Sequence, residues 1–530
     1  MLTQQQRNEG LNAEQAAQAA AAQAALQAHR LDEAERALGE LKGEAVSHPE
    51  FLRLQGTLAY MQGKAMDALE PLVASLRQRP QDALAFSFLA ASYERLGDQD
   101  NALKAFRQAC EQAPQQVLHW VNFGNALSRA GWYEHATAIL QHALKLEPGH
   151  SDARAMLGMT LSLDGRDQDA AAEYRRLLAD DPTSGTAWWG LALLKPMRLG
   201  TADIDKMQAQ LARSELDARN RMALQFALAH AMEHAGDMAG ALAMLDTAHA
   251  LARRESRPWD AAASRVLTRR CLDELPQPPR PQSHDIGGEV IFIVSLPRSG
   301  STLVEQVLAS HSQVAGTIEL RDLSQVLLEQ SDAQASTYPD WVGKLSGAEW
   351  QALGKAYLAR TARWRRNKPR MTDKMLGNWR HIGAILSMLP NARVVAVQRD
   401  PLENCLACYR MLLDGHDYTH RFEDLADFQR QFETSVQEWQ RRCPQQVRVQ
   451  SYEALTREPE RQIRELLDFC GLSFEQACLD FHATRRRVST LSAAQVREPI
   501  HPASARAERY GSLLDPLREA LAQAPTEDIR

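Results

Sequence analysis

A chain of 530 residues, 44% of them hydrophobic and 24% charged, is long enough for more than one domain, each with its own core. Its formal net charge of −6 lacks the basic excess that marks a nucleic-acid binder. Its seven cysteines (Cys110, Cys271, Cys405, Cys408, Cys443, Cys470 and Cys478) are odd in number and scattered, which argues against a disulfide framework and predicts a reducing, cytoplasmic setting.

The first residues, MLTQQQRNEG, have no basic start followed by an apolar core, so they do not read as a secretory signal. No apolar stretch approaches the ~18 residues needed to span a bilayer. A repeat follows. Pro80, Pro114, Pro148 and Pro182 lie 34 residues apart, and Gly63, Gly97, Gly131 and Gly165 keep the same step. So do Ala68, Ala102, Ala136 and Ala170, and the small residues Gly56, Ala90, Gly124 and Gly158. This is the period and pattern of tetratricopeptide repeats. Small residues let the paired helices cross closely, Gly lies in the turn between them, and Pro ends the second helix. A weaker unit spans about 15 to 48, GTAWWGLALL opens another at Gly185, and a last hairpin returns with Ala229, Gly236 and Ala241. The array is expected over 1–255, an α-helical superhelix that binds a protein or peptide or else packs as a structural extension. Residues 256–288 read as a connecting helix and a Pro-rich linker.

From 289 to 530 the pattern changes. VIFIVSL and ARVVAVQ are continuous apolar runs of strand length with helical patterns between them, which predicts a mostly parallel sheet covered on both faces. The first run leads into PRSGST and a helical stretch. Strand, small-residue loop and helix together aim backbone N–H groups at a phosphate-like anion. Ser299, Gly300, Ser301 and Thr302 are small where the anion must approach, and Arg298 adds a permanent cation. The Gly-Lys-Ser/Thr of the nucleotide-triphosphate loop is missing. The same residues also suit a plain strand–helix turn capped by Ser301. A basic run, RTARWRRNKPR at 360 to 370, either draws an anion or forms a solvated helix face. Cys405 and Cys408 make a CxxC without a second pair, which reads as small apolar packing in a helix.

Five ordered segments between about 288 and 515 carry a resemblance: PRSGSTLVEQVLASHSQVAGTIELRDL, TDKMLGNW, NARVVAVQRDPLENCLACYR, VRVQSYEAL and STLSAAQVREPI. They resemble the sulfotransferases that use 3′-phosphoadenosine 5′-phosphosulfate (PAPS). The similarity is greatest to the tyrosylprotein sulfotransferases and to bacterial sulfotransferases with tetratricopeptide repeats. The resemblance implies a P-loop-like α/β sulfotransferase domain, with PAPS as co-substrate and no metal. Arg298 and Ser299 to Thr302 would bind the 5′-phosphosulfate, Lys374 would approach the leaving oxygen, and Arg399 would bind the 3′-phosphate. Tyr452 and Ser492 match positions near the nucleotide. Glu319 matches the catalytic base of the tyrosylprotein enzymes and Arg321 an arginine at the substrate. His311 is a competing base, although it also suits a helix end. A Ser usual in the family is here Ala407, and the late basic contact falls on Arg506 or Arg509. The implied function is sulfuryl transfer to a hydroxyl, on a protein or peptide tyrosine, a glycan or a small phenol. The alternative is a repeat adaptor whose domain binds PAPS but transfers weakly.

Overall fold

The structure is a computed structural model that describes residues 2–39, 46–194, 197–275, 286–365, 367–484, 498–500 and 505–523. It divides into two compact units, Met1–Asp164 and Gly165–Arg530.

The first unit is a run of antiparallel helix pairs, among them Pro49–Met61 with Ala65–Gln78, Ala83–Arg95 with Gln99–Gln112, and Val117–Arg129 with Tyr133–Leu146. The 34-residue step has a backbone cause. Gly63, Gly97 and Gly131 take φ of 87°, 75° and 73°, a left-handed turn that residues with a Cβ resist. A second column is set by helix contact: a Cβ on Gly56 would stand 2.5 Å from Leu72, and one on Gly124 2.7 Å from Leu140. Ala68 and Ala136, in the facing helices, are fully buried.

The second unit opens with further helices. The later ones are Ala218–Ala235, Met238–Glu255 and Ala261–Asp273. A five-stranded sheet follows: β1 (Val290–Ser295), β2 (Val314–Ala315), β3 (Arg370–Asp373), β4 (Arg393–Gln398) and β5 (Val447–Ser451). Its order is β2-β3-β1-β4-β5 and every pairing is parallel, with Ile293 opposite Val395 at the centre. Alternate residues of β1 enter two separate cores. Phe292 and Val294 pack with Tyr357, Trp379 and Trp439, and with Phe226, Leu245 and Ala248 from the helical hairpin. Ile291 and Ile293 pack with Val304, Val307, Leu455 and Ile463. Burial on both faces explains why β1 reads as an unbroken apolar run. From β1 the chain moves to β2 and β3 on one side, then to β4 and β5 on the other. That reversal opens a crevice at the carboxyl ends of the strands.

Candidate anion-binding and catalytic site

Four of the five segments singled out in the sequence leave strands at this edge, after β1, β3, β4 and β5; the fifth, STLSAAQVREPI, lies almost wholly outside the described residues. The loop after β1 is braced from beneath. Asn404 Nδ2 donates to Pro297 O at 2.8 Å, and Cys408 Sγ donates to the same carbonyl at 3.3 Å. The Ser299 hydroxyl lies 2.7 Å from both Leu296 O and Asn404 Oδ1, so it faces into the protein. Arg298 (φ 66°) and Gly300 (φ 93°) both have left-handed backbone, a conformation costly for the arginine. A Cβ on Gly300 would stand 2.3 Å from the Tyr452 ring, so the glycine is required twice over. The helix Ser301–Ala309 starts at Gly300 with no side chain capping it, which leaves its positive end to an external anion. Ser301 is the first helical residue, not the cap.

Arg399 follows β4. Its Nη1 donates to Arg298 O and its Nη2 pairs with Glu403 Oε2, each at 3.3 Å, and the guanidinium sits 5.3 Å from the Tyr452 ring centre. Its Nε is buried and has no partner among the described residues. A buried donor left unpaired is costly, and an anionic ligand would satisfy it. Burial, then the charges of Arg399 and Arg410, hold the Arg298 guanidinium below its ordinary pKa. Burial and the charges of Arg410 and Arg399 do the same to Arg506.

On the other side of β1, Thr317 ties the strand-following segment to β3: its hydroxyl donates to Thr372 O at 2.8 Å and its backbone N–H donates to Thr372 Oγ1 at 3.2 Å. This delivers Glu319, whose Oε1 lies 3.3 Å from Lys374 Nζ. A second carboxylate, Glu305 Oε2, lies 4.0 Å from the same nitrogen. Lys374 and Glu305 are buried, whereas the Glu319 side chain is 47% exposed and can meet a solvent-borne acceptor.

Asp373 sets the turn that carries Lys374. It accepts from Tyr357 Oη at 2.6 Å, the Met375 N–H at 3.1 Å and Asn378 Nδ2 at 3.4 Å. Burial pushes its pKa up to about 7. Its folded-state pKa lies above the unfolded one, so its contribution to stability is complete below about 4 and is lost as pH rises to about 7. Relative to wild type, Asp373→Asn is expected to gain stability as pH rises from 4 to 7. Paired denaturant titrations across that range check it, and a constant difference would refute the shift.

The other sequence candidates fall as follows. Arg321 is exposed just before the helix Asp322–Ala333, and Glu319 pairs with Lys374 rather than with it. Ser492 lies outside the described residues. His311 is buried past the helix end, with Nε2 on Ser473 O at 2.9 Å and Nδ1 accepting the Gln313 N–H at 3.1 Å, so both ring nitrogens hold loops. The basic run is largely consumed by the fold: Arg360 pairs with Glu329, Arg363 with Asp322, and Lys368 donates to the His311 and Val314 carbonyls. Cys405 and Cys408 are buried, and burial raises both thiols. Asn404 and Glu305 went unnoticed in the sequence. Asn404 had one available signal, its place on the helix that follows Arg399.

Residues 290–476 match the sulfotransferase family model, and 53–117 and 127–194 match tetratricopeptide-repeat models. The chain carries a sulfotransferase-family domain behind tetratricopeptide repeats. An uncharacterized protein of Aquifex aeolicus is 27% identical over 406 residues, covering 73% of this chain and 52% of the relative. The cytochrome c-type biogenesis protein CycH of Bradyrhizobium diazoefficiens is 28% identical over 151 residues, 28% of this chain and 41% of its own. The chain thus spans about half the length, or less, of these curated relatives. Among solved structures, MamA from Desulfovibrio magneticus aligns with 33% of this chain and 98% of its own, at 19% identity and a TM-score of 0.29. In the described part of the sulfotransferase domain and the repeats, no helix is long and apolar enough to cross a membrane.

Proposed function

We propose that the sulfotransferase domain moves a sulfuryl group from PAPS to a hydroxyl on a protein or peptide, a tyrosine by likeness to the tyrosylprotein enzymes. In this reading the repeats, over 1–255, hold the acceptor chain, and residues 289–530 carry the chemistry. The observation that carries it is the buried Nε of Arg399, without a partner among the described residues, on a guanidinium whose Nη1 reaches the Arg298 carbonyl just ahead of an uncapped helix start. These are cations and donors gathered for an anion with phosphate at two places.

The residues present suit PAPS. Arg399 would take the 3′-phosphate. Arg298 and the backbone from Ser299 to Thr302 would take the 5′-phosphosulfate, with Tyr452 walling the nucleotide. The acceptor oxygen attacks sulfur, the bond from sulfur to the phosphate oxygen breaks, and Glu319 takes the hydroxyl proton. Lys374 neutralises charge on the leaving phosphate, and the products are a sulfate ester and adenosine 3′,5′-bisphosphate. The seven free cysteines suit a reducing cytoplasm.

Incubation with sulfur-labelled PAPS and a host extract tests the reading. Label is expected in protein and to disappear with Lys374→Ala. Label only in small molecules would overturn the protein acceptor, and label that never leaves the donor would favour the PAPS-binding adaptor. Ala407 favours that second reading, since the family's hydroxyl is absent there. Ala407→Ser, on the helix Pro401–Tyr409, is expected to tighten PAPS binding about tenfold, the lower range for a hydrogen bond to a charged group. Calorimetry on the two proteins reads this directly, and equal affinities would show that another group already fills the position.

A further inference from the structure

The helix Ala218–Ala235 belongs to the helical hairpin ahead of the sheet, yet one of its side chains reaches the arginine cluster. Glu233 is 3% exposed. Its Oε2 accepts from Arg410 Nε and, at 3.0 Å, from Tyr510 Oη. Its Oε1 faces Arg506 Nε at 3.5 Å and Arg509 Nη1 at 3.8 Å, while its backbone oxygen accepts from Arg509 Nη2 at 3.0 Å. The same C-terminal segment is tied at a second point. The Ala507 N–H donates to Glu403 Oε1 at 2.6 Å, and the other oxygen of Glu403 is the partner of Arg399.

We propose that Glu233 is a positioning residue of the nucleotide site: it holds Arg410 and the segment Arg506–Tyr510 against the cluster around Arg399, which makes the helical hairpin part of that site. This rests on the reading of the site as one for PAPS. Three observations support it. One carboxylate faces three guanidiniums, so the cluster keeps surplus positive charge where a purely structural ion pair would be balanced. That surplus acts on the loop, since the charge of Arg410 bears on Arg298. The hairpin is also rigidly seated, because Phe226 and Ala229 of the same helix share the core under β1. The neighbouring His230, pushed down to about 3 by burial and by Arg410, stays neutral, so the arginines supply the charge.

The test uses the whole chain and adenosine 3′,5′-bisphosphate as probe. In wild type the nucleotide is expected to slow amide exchange at residues 507–510. Glu233→Gln is expected to weaken its binding about tenfold and to remove that protection, as for a lost hydrogen bond to a charged group. With PAPS varied, KM should rise while kcat at saturation holds; a role only in folding would instead lower the active fraction and leave KM alone. Should Glu233→Gln not fold, Tyr510→Phe removes one of the carboxylate's donors and should show the same loss, smaller. Unchanged affinity in the folded variants, or no change in exchange at 507–510, overturns the proposal. A wild-type protein that binds no adenosine 3′,5′-bisphosphate overturns the PAPS reading itself, a different result from binding that depends on Arg399 and ignores Glu233.

Discussion

Glu319→Gln is expected to cut sulfuryl transfer by two orders of magnitude or more while leaving nucleotide affinity near wild type. A positioned base contributes about 10²–10⁴ in rate. The amide keeps the size of the carboxylate and loses its ability to take a proton. The geometry favours this division of effects. Glu319 is half exposed at the mouth, 3.3 Å from Lys374 Nζ, while Arg399 follows β4 on the other side of β1. A surface glutamate in a loose ion pair would contribute little, because exposed pairs are worth about 0–1 kcal/mol. Single-turnover transfer measured beside product-nucleotide affinity separates the two. Near-wild-type turnover would remove Glu319 from the chemistry. Attention would then pass to Glu305, the buried carboxylate 4.0 Å from the same lysine, rather than to His311, whose ring nitrogens are already engaged.

Arg399→Ala is expected to abolish most of the thermal stabilisation given by adenosine 3′,5′-bisphosphate. A ligand that binds only the native state stabilises it by about 2.7 kcal/mol at a hundredfold excess over Kd, and Tm reports the loss. Arg399 already directs Nη1 to Arg298 O and Nη2 to Glu403, so a phosphate at Nε, which has no partner among the described residues, would engage its third nitrogen. Adenosine 5′-phosphate, without the 3′ group, should stabilise wild type much less. Equal shifts from the two nucleotides would sink the assignment of Arg399 to a 3′-phosphate.

Much of the architecture was legible in the chain because it depends on local physics. The glycine column at a 34-residue step marks left-handed turns that any observer of spacing can find, since few other residues adopt them. The unbroken apolar run of β1 announces burial on both faces, and the small residues after it announce a turn into a helix. Parallel strands then send successive loops to one edge, which is why Arg298, Lys374, Arg399 and Tyr452, all just past strand ends, converge.

What the tertiary structure decided is the side chain's company. Ser299 looked like an anion contact by position, and its hydroxyl is turned into the loop by Asn404, more than a hundred residues on. Glu305 and Glu233 lie in helices and have no motif around them that marks them out. Whether such a group is solvated or buried against cations depends on which distant segment the strand order brings beside it, and helical periodicity alone carries no record of that partner. The basic run at 360 to 370 illustrates the converse: its charge was obvious in the sequence, and packing turned it inward to carboxylates and carbonyls instead of toward a ligand. Sequence periodicity thus determined the repeats, the sheet and the edge where chemistry gathers. Long-range packing determined which polar groups at that edge are already satisfied and which, like Nε of Arg399, remain to be satisfied by something bound.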